Sequence, residues 1–204
     1  NNTSIGQGTL EVNTTGSENT ALGRAALNAN TTASNNTALG YFALLTNTTG
    51  VQNVAIGSEA LKSNLAASNN VAVGYKALSL NTSGTANNAL GRNALRDCTS
   101  ATGNAAYGQN SLVVVTTGNS NTAYGHDSGK ELTTGSNNVF LGNDSGRANS
   151  PSGSITTGSH NVVLGNNSTN NLFCADTSIS ASDSRDKTDI ADFTKGLDWI
   201  KALR

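Results

Sequence analysis

A serine and a lysine near the end of the chain have the residue types of a nucleophile and its base. Ser182 and Lys187 lie five positions apart in a segment that is richer in charge than the rest of the chain. A serine hydroxyl attacks only when a base accepts its proton, and a lysine amine is a base only where burial lowers its pKa. The alternative is that Ser182 and Asp183 cap the helix predicted by the apolar residues that follow them.

The four tyrosines occupy two positions of a repeated pattern. Tyr41 and Tyr75 directly follow a glycine, whereas Tyr107 and Tyr124 directly precede one. Aromatic rings can stack on sugars, so Tyr41 and Tyr75, placed at turns, are candidate contacts for a carbohydrate ligand. Tyr107 and Tyr124 occupy an apolar position of the pattern, and we expect them to fill the core.

The histidines do not have the spacing of metal ligands. His126 is followed by Asp127, and His160 stands far from both in the sequence. Isolated histidines of this kind are more often surface residues than ligands. We therefore predict no metal and no cofactor.

The tyrosines and histidines lie within a 17-residue repeat, which ends before the segment that contains Ser182 and Lys187. Nine glycines recur every 17 residues and a tenth follows after 23: Gly6, Gly23, Gly40, Gly57, Gly74, Gly91, Gly108, Gly125, Gly142 and Gly165. An asparagine precedes each glycine by four positions: Asn2, Asn19, Asn36, Asn53, Asn70, Asn87, Asn104, Asn121, Asn138 and Asn161. A large apolar or aromatic residue stands just before each glycine, usually after an alanine. In the first seven repeats a leucine follows four positions after the glycine.

The repeat predicts an all-β fold, a parallel β-roll or β-solenoid in which each coil stacks on its predecessor. Seventeen residues suit two short strands and two turns, and Val54 and Ile56 alternate with Ala55 in the manner of a strand. Glycine permits a turn that a side chain would obstruct. The asparagines are expected to bond turn backbone and to stack on their copies in neighbouring coils.

The composition predicts a thin core and a homotrimer. Apolar residues make up 35% of the chain and aromatic residues 4%, which is too little for a thick core within one chain. We expect three chains to share an axis, with the alanine face packed near another chain: Ala21, Ala38, Ala55, Ala72, Ala89, Ala106 and Ala123. The net charge of −1 argues against a nucleic-acid partner, and no apolar run approaches the ~20 residues of a membrane span, so membrane insertion is not expected.

The cysteines are predicted to be free. Cys98 and Cys174 are about four coils apart, or ~20 Å at the spacing of stacked strands. A disulfide needs Cα atoms within ~7 Å, so an intrachain bridge is not expected and two small buried thiols are the simpler interpretation.

Two resemblances bear on function. Residues 2–169 resemble the head repeats of trimeric autotransporter adhesins and repeats of phage tail fibres. The segment Ser182–Ile190 resembles the opening of the endosialidase-type intramolecular chaperones, which trimerise phage fibres and then cut themselves off. This resemblance implies that Ser182 is the nucleophile, Lys187 its base and Ala181–Ser182 the cleaved bond. Asp186 departs from the pattern, since many relatives carry an apolar residue there.

These observations predict three regions and a function. Residues 1–175 would form the β-repeat fibre, 176–181 a linker, and 182–204 the start of the chaperone with a short α-helical segment. The expected function is that of a phage tail fibre segment in host attachment, located on the virion and bound to a host surface glycan or outer-surface protein. The alternatives are a bacterial trimeric adhesin at the cell surface and a glycan-degrading tailspike, although the repeats lack the paired carboxylates of a glycosidase.

Overall fold

A computed structural model of the chain describes residues 1–171, which form a parallel β-solenoid. Asn1–Asn170 make one compact unit. Each coil, defined as the chain from one repeat glycine to the next, contributes one strand of three residues. The strands are β1 (Thr3–Ile5), β2 (Thr20–Leu22), β3 (Thr37–Leu39), β4 (Val54–Ile56), β5 (Val71–Val73), β6 (Asn88–Leu90), β7 (Ala105–Tyr107), β8 (Thr122–Tyr124), β9 (Val139–Leu141) and β10 (Val162–Leu164).

The ten strands form one sheet in chain order, and every neighbouring pair is parallel. Equivalent residues of successive coils lie opposite one another, for example Ala38 and Ala55. The predicted stacking of each coil on its predecessor is therefore confirmed. The expectation of two strands per coil is wrong: the coil has one short strand, and the rest of it is a series of turns bonded to the next coil.

The first asparagine ladder, formed by the asparagines four residues before the repeat glycines, bonds the coils to one another as predicted. The Oδ1 atom of Asn53 accepts the backbone N–H of Asn70 at 3.0 Å, one coil further on. Its Nδ2 atom donates to the Ala67 carbonyl at 2.9 Å. The Asn70 N–H and the Ala67 carbonyl are both buried and are not paired within the sheet. The Asn53 side-chain amide therefore makes the hydrogen bonds that water would otherwise make.

The alanines of the strands face the interior of the same chain, which corrects the predicted packing of the alanine face on another chain. Ala21, Ala38, Ala55, Ala72, Ala89, Ala106 and Ala123 all have 0% exposure. The leucines four residues after the glycines lie beside them in the core. The interior of a 17-residue coil is narrow, so it takes one leucine and small residues opposite it.

The nine repeat glycines from Gly6 to Gly142 lie where their backbone touches the next coil. Gly57 has a φ of +131°, and a Cβ atom placed on it would lie 2.6 Å from the carbonyl oxygen of Gly74. Any side chain would separate the two coils, so the predicted role of glycine at this turn is confirmed.

The core changes composition near β9, where one aromatic side chain replaces two leucines. Gly129 and Gly146 replace the core leucine in two successive coils, and Phe140 replaces the strand alanine between them. A Cβ atom on Gly129 would lie 2.7 Å from the Phe140 ring. The ring of Phe140 therefore lies in space that the two absent leucines would occupy.

The insertion around Asn149–Ser154 forms a turn at the surface. Its Gly153 N–H donates to the Ser150 carbonyl at 2.9 Å, and Pro151 is exposed. Because the insertion is confined to this turn, β10 still pairs with β9 in register after a step of 23 residues.

Candidate functional site

The predicted self-cleavage residues lie outside the described residues. Ala181, Ser182 and Lys187 belong to the segment 172–204, as do the linker, the helix predicted after Ile190, and Cys174. Their assignment stays a prediction. Within residues 1–171, a corner of the coil and the outer face of the sheet present aromatic and apolar side chains to solvent.

Tyr41 belongs to a cluster of aromatic and basic side chains at one corner of the solenoid. Its ring stacks on that of Phe42 with centroids 3.9 Å apart and planes inclined by 24°. The guanidinium carbon of Arg24 lies 5.7 Å from the Tyr41 centroid and 5.8 Å from that of Phe42. The Lys62 amine lies 5.6 Å from the Phe42 centroid, so cations flank the stacked pair.

Tyr75 lies two coils further along the same corner and has a cation beside its ring, without a second aromatic ring of residues 1–171 stacked on it. The Lys76 amine lies 5.2 Å from its ring centroid. Tyr41 and Tyr75 are both exposed, at 41% and 43%. The side chains Arg24, Tyr41, Phe42, Lys62, Tyr75 and Lys76 are called here the basic-aromatic corner.

The backbone holds this corner in one conformation. Phe42 and Lys76, two residues after their glycines, have φ values of 58° and 57°. Their backbone N–H groups donate to the carbonyls of Arg24 and Ser58 in the preceding coil, at 3.0 Å in each case. This left-handed turn directs the preceding residue outward, so every coil displays one side chain at the corner.

The outer face of the sheet carries a continuous apolar stripe. It consists of the residues just before the repeat glycines, called here the outer strand face: Ile5, Leu22, Leu39, Ile56, Val73, Leu90, Tyr107, Tyr124, Leu141 and Leu164. Leu22 and Leu39 are 41% and 40% exposed. At ~4.8 Å per strand the stripe is about 43 Å long, and contiguous apolar surface of this kind marks interaction sites.

Tyr107 and Tyr124 belong to the outer strand face, which corrects their predicted place in the core. Tyr124 is 63% exposed. The two rings stack on each other in successive coils, with centroids 5.6 Å apart. They lie outside because the residue before each repeat glycine points away from the interior, whichever residue type occupies it.

A charged cluster lies where the repeat changes composition. Potential ligand atoms of His126, Asp127 and Asp144 lie within 4.8 Å of one another. Asp127 binds Lys130 at 2.8 Å and Arg147 at 2.9 Å, and Arg147 also bonds to Asp144. Burial raises the pKa of the Asp127 carboxyl, but hydrogen bonds led by that from Lys130 outweigh it, so its pKa lies below the usual value. The carboxylates are thus already neutralised by side chains of the same chain.

The Cys98 thiol is buried among hydrogen-bonding groups, as predicted for the first cysteine. Its Sγ atom lies 3.8 Å from Asn81 Oδ1 and 3.8 Å from the Ala101 carbonyl. Burial raises its pKa to about 11, although the contact with Ala101 acts in the opposite direction. A neutral thiol of this kind is inert rather than catalytic.

A second asparagine ladder was missed by the sequence reasoning, although its signal is the same 17-residue spacing. It consists of Asn13, Asn30, Asn47, Asn64 and Asn81. Asn64 Nδ2 donates to Asn47 Oδ1 at 2.8 Å and to the Ala67 carbonyl at 2.9 Å. The sequence reasoning also missed four side chains of the basic-aromatic corner: Arg24, Phe42, Lys62 and Lys76. Arg24 directly follows a repeat glycine, and Phe42 and Lys76 stand two positions after one.

Comparisons with known proteins yield no relative. No family model, no curated protein and no solved structure matches the chain. Among residues 1–171 there is no helix with the length and apolar character needed to cross a membrane.

Proposed function

We propose that this chain is the shaft of a homotrimeric fibre of the phage tail fibre type, which serves host attachment on the virion. The observation that supports this most is the outer strand face. It presents a large apolar or aromatic residue in every coil, and residues 1–171 do not cover it by themselves. A monomer would leave this stripe in water along its whole length.

A second copy of the same chain is the partner that matches this stripe best. The apolar residues recur once per coil, so a partner must present complementary features at the same spacing over ten strands. Another copy has that spacing by construction. Three copies placed around a common axis would each bury the outer strand face.

The proposal for the C-terminal segment rests on its resemblance to the intramolecular chaperones. Ser182 would be the nucleophile and Lys187 the base that cut the Ala181–Ser182 bond once. A single self-cleavage after assembly would suit a fibre whose folding needs three chains to meet. No enzyme with turnover is implied.

The trimer is tested by the native mass of the 204-residue chain. We expect three times the chain mass of 20.7 kDa by light scattering. The double variant Leu39→Lys, Leu90→Lys should be monomeric with an unchanged circular dichroism spectrum, because it adds two charges to the outer strand face and leaves the interior intact. Tyr41→Ser, on the corner, is the matched control and should remain trimeric. A monomeric wild type, or a double variant that stays trimeric, would refute the proposed interface.

A further inference from the structure

The basic-aromatic corner concentrates positive charge on a chain that is nearly neutral as a whole. The corner contains the cations Arg24, Lys62 and Lys76. Arg92, which occupies the position of Tyr75 one coil later, is also exposed. Glu59 is the one carboxylate among them, and Lys62 binds it at 3.3 Å. The net charge of the full chain is −1. The excess of cations is therefore a local feature of this corner, not a consequence of composition.

The two exposed rings of the corner are spaced for a ligand that runs along the fibre. Tyr41 and Tyr75 occupy the same position of the coil, two coils apart, which corresponds to about 10 Å. The coil between them carries Ser58, a small residue, at that position. A linear polymer that lies along the corner would contact the Tyr41 ring, the small side chain of Ser58 and the Tyr75 ring in turn. Arg24 lies beside the first ring and Lys76 beside the second.

We infer that the basic-aromatic corner binds an acidic oligosaccharide lying parallel to the fibre axis. Sugar rings present C–H groups that pack on aromatic faces, and their carboxylates are matched by Arg24 and Lys76, whereas Lys62 is paired with Glu59. This inference rests on the proposed attachment function and names its ligand, but it does not require the trimer.

A single-stranded nucleic acid also uses cations and stacked rings, but the corner suits it less well. Successive bases stack on successive rings along a basic groove. Here serine separates the two rings, and Asp127 and Asp144 follow further along the same corner. Those carboxylates would repel a polyphosphate that extended beyond the basic part of the corner.

The repeat supplies replacements for each residue that the fold already accepts. Tyr75→Ser introduces the residue found at the same position one coil earlier, Ser58. Lys76→Asn introduces the residue found one coil later, Asn93, and that residue has the same left-handed backbone, with φ values of 57° and 58° for Lys76 and Asn93. Gln109→Ser is the matched control, because Gln109 occupies the position of Tyr75 two coils later and lies outside the basic-aromatic corner.

The experiment measures binding of hexagalacturonate to the 204-residue chain by calorimetry, with its fully methyl-esterified form as the neutral probe. We expect binding of the acidic hexamer that weakens as salt is raised, because the Debye length falls from about 30 Å at 0.01 M to about 3 Å at 1 M. Tyr75→Ser should weaken binding about tenfold and Lys76→Asn about threefold. Gln109→Ser should leave affinity unchanged.

Three results would overturn the inference. The first is that hexagalacturonate does not bind, and the second is that its methyl ester binds equally well. The third is that a six-nucleotide oligothymidylate binds more tightly than the acidic hexamer. A monomeric chain that still binds hexagalacturonate would refute the proposed trimer and support the corner. A trimer that does not bind it would do the reverse.

Discussion

The two asparagine ladders predict different costs for the same substitution. Asn70 of the first ladder and Asn64 of the second are both fully buried. In Asn70→Val, the backbone N–H of Asn87 loses the Oδ1 acceptor at 3.0 Å, and the Gly84 carbonyl loses the Nδ2 donor at 3.0 Å. Each buried group left without a partner costs about 1–3 kcal/mol, so we expect a loss of about 4 kcal/mol in the free energy of unfolding.

Asn64→Val removes the same amide but orphans no backbone N–H. The N–H of Asn81, one coil on, donates to the Leu78 carbonyl at 3.2 Å and does not depend on the ladder. Asn47 Oδ1 and the Ala67 carbonyl lose a donor, and the Asn81 side-chain amide loses one acceptor while its Nδ2 atom keeps the bond to the Gly84 carbonyl at 2.9 Å. Oxygens tolerate lost partners better than a buried N–H does, and the chain itself has Val115 at this position of a later coil. We expect about 2 kcal/mol.

Urea unfolding followed by circular dichroism would measure both values at one fixed chain concentration. The fixed concentration keeps any contribution of assembly equal for the two variants. The slope of the free energy against urea should be unchanged if both variants unfold like the wild type. Equal losses, or a larger loss for Asn64→Val, would refute the assignment of the first ladder as the acceptor of the coil backbone.

Four further outcomes are expected. Ser111→Ala and Ser128→Ala should each stabilise the chain by about 1 kcal/mol in urea unfolding. Among residues 1–171 the hydroxyls of these two serines are buried without a hydrogen bond, and earlier coils have alanine at the same position. Destabilisation by either variant would contradict this. Gly57→Ala should cost at least about 3 kcal/mol more than Gly103→Ala, since both have positive φ but only Gly57 meets backbone at 2.6 Å, and equal costs would contradict it. Cys98 in the native chain should resist alkylation at pH 8, as mapped by mass spectrometry. Because burial raises its pKa from 9.0 to about 11, the neutral thiol contributes to folding stability below pH 9, and this contribution is lost as the pH rises toward 11. In a chain carrying the complete chaperone, Ser182→Ala should abolish release of the C-terminal fragment on denaturing gels while assembly persists, and release at the wild-type rate would remove Ser182 from the mechanism.

The candidate site was predicted in part. The position of Tyr41 and Tyr75 after a glycine indicated exposure, and both are exposed. Their basic neighbours were not predicted, because Lys62 reaches Phe42 from a different coil and from a different position within it. Sequence spacing identifies residues that share a position, but it does not measure how far a long side chain reaches across coils.

The repeat by itself determined the coil. A glycine and an asparagine at constant spacing must occupy equivalent places in a stack, and only parallel strands one coil apart bring equivalent residues together. The 17-residue step, the parallel sheet and the bonding role of the first asparagine ladder all followed from that constraint.

Only the tertiary structure decided which side of the strand is inside. Both sides of β3 are apolar, Ala38 on one and Leu39 on the other, so alternation does not distinguish them. The interior is already occupied by the leucine four residues after each glycine and by two asparagine ladders, and only a methyl group fits the remaining space. The larger side chains, Tyr124 among them, therefore point outward. Phe140 enters the core only where Gly129 and Gly146 have removed two leucines. The deciding quantity is the volume enclosed by one coil, which depends on residues of several coils at once.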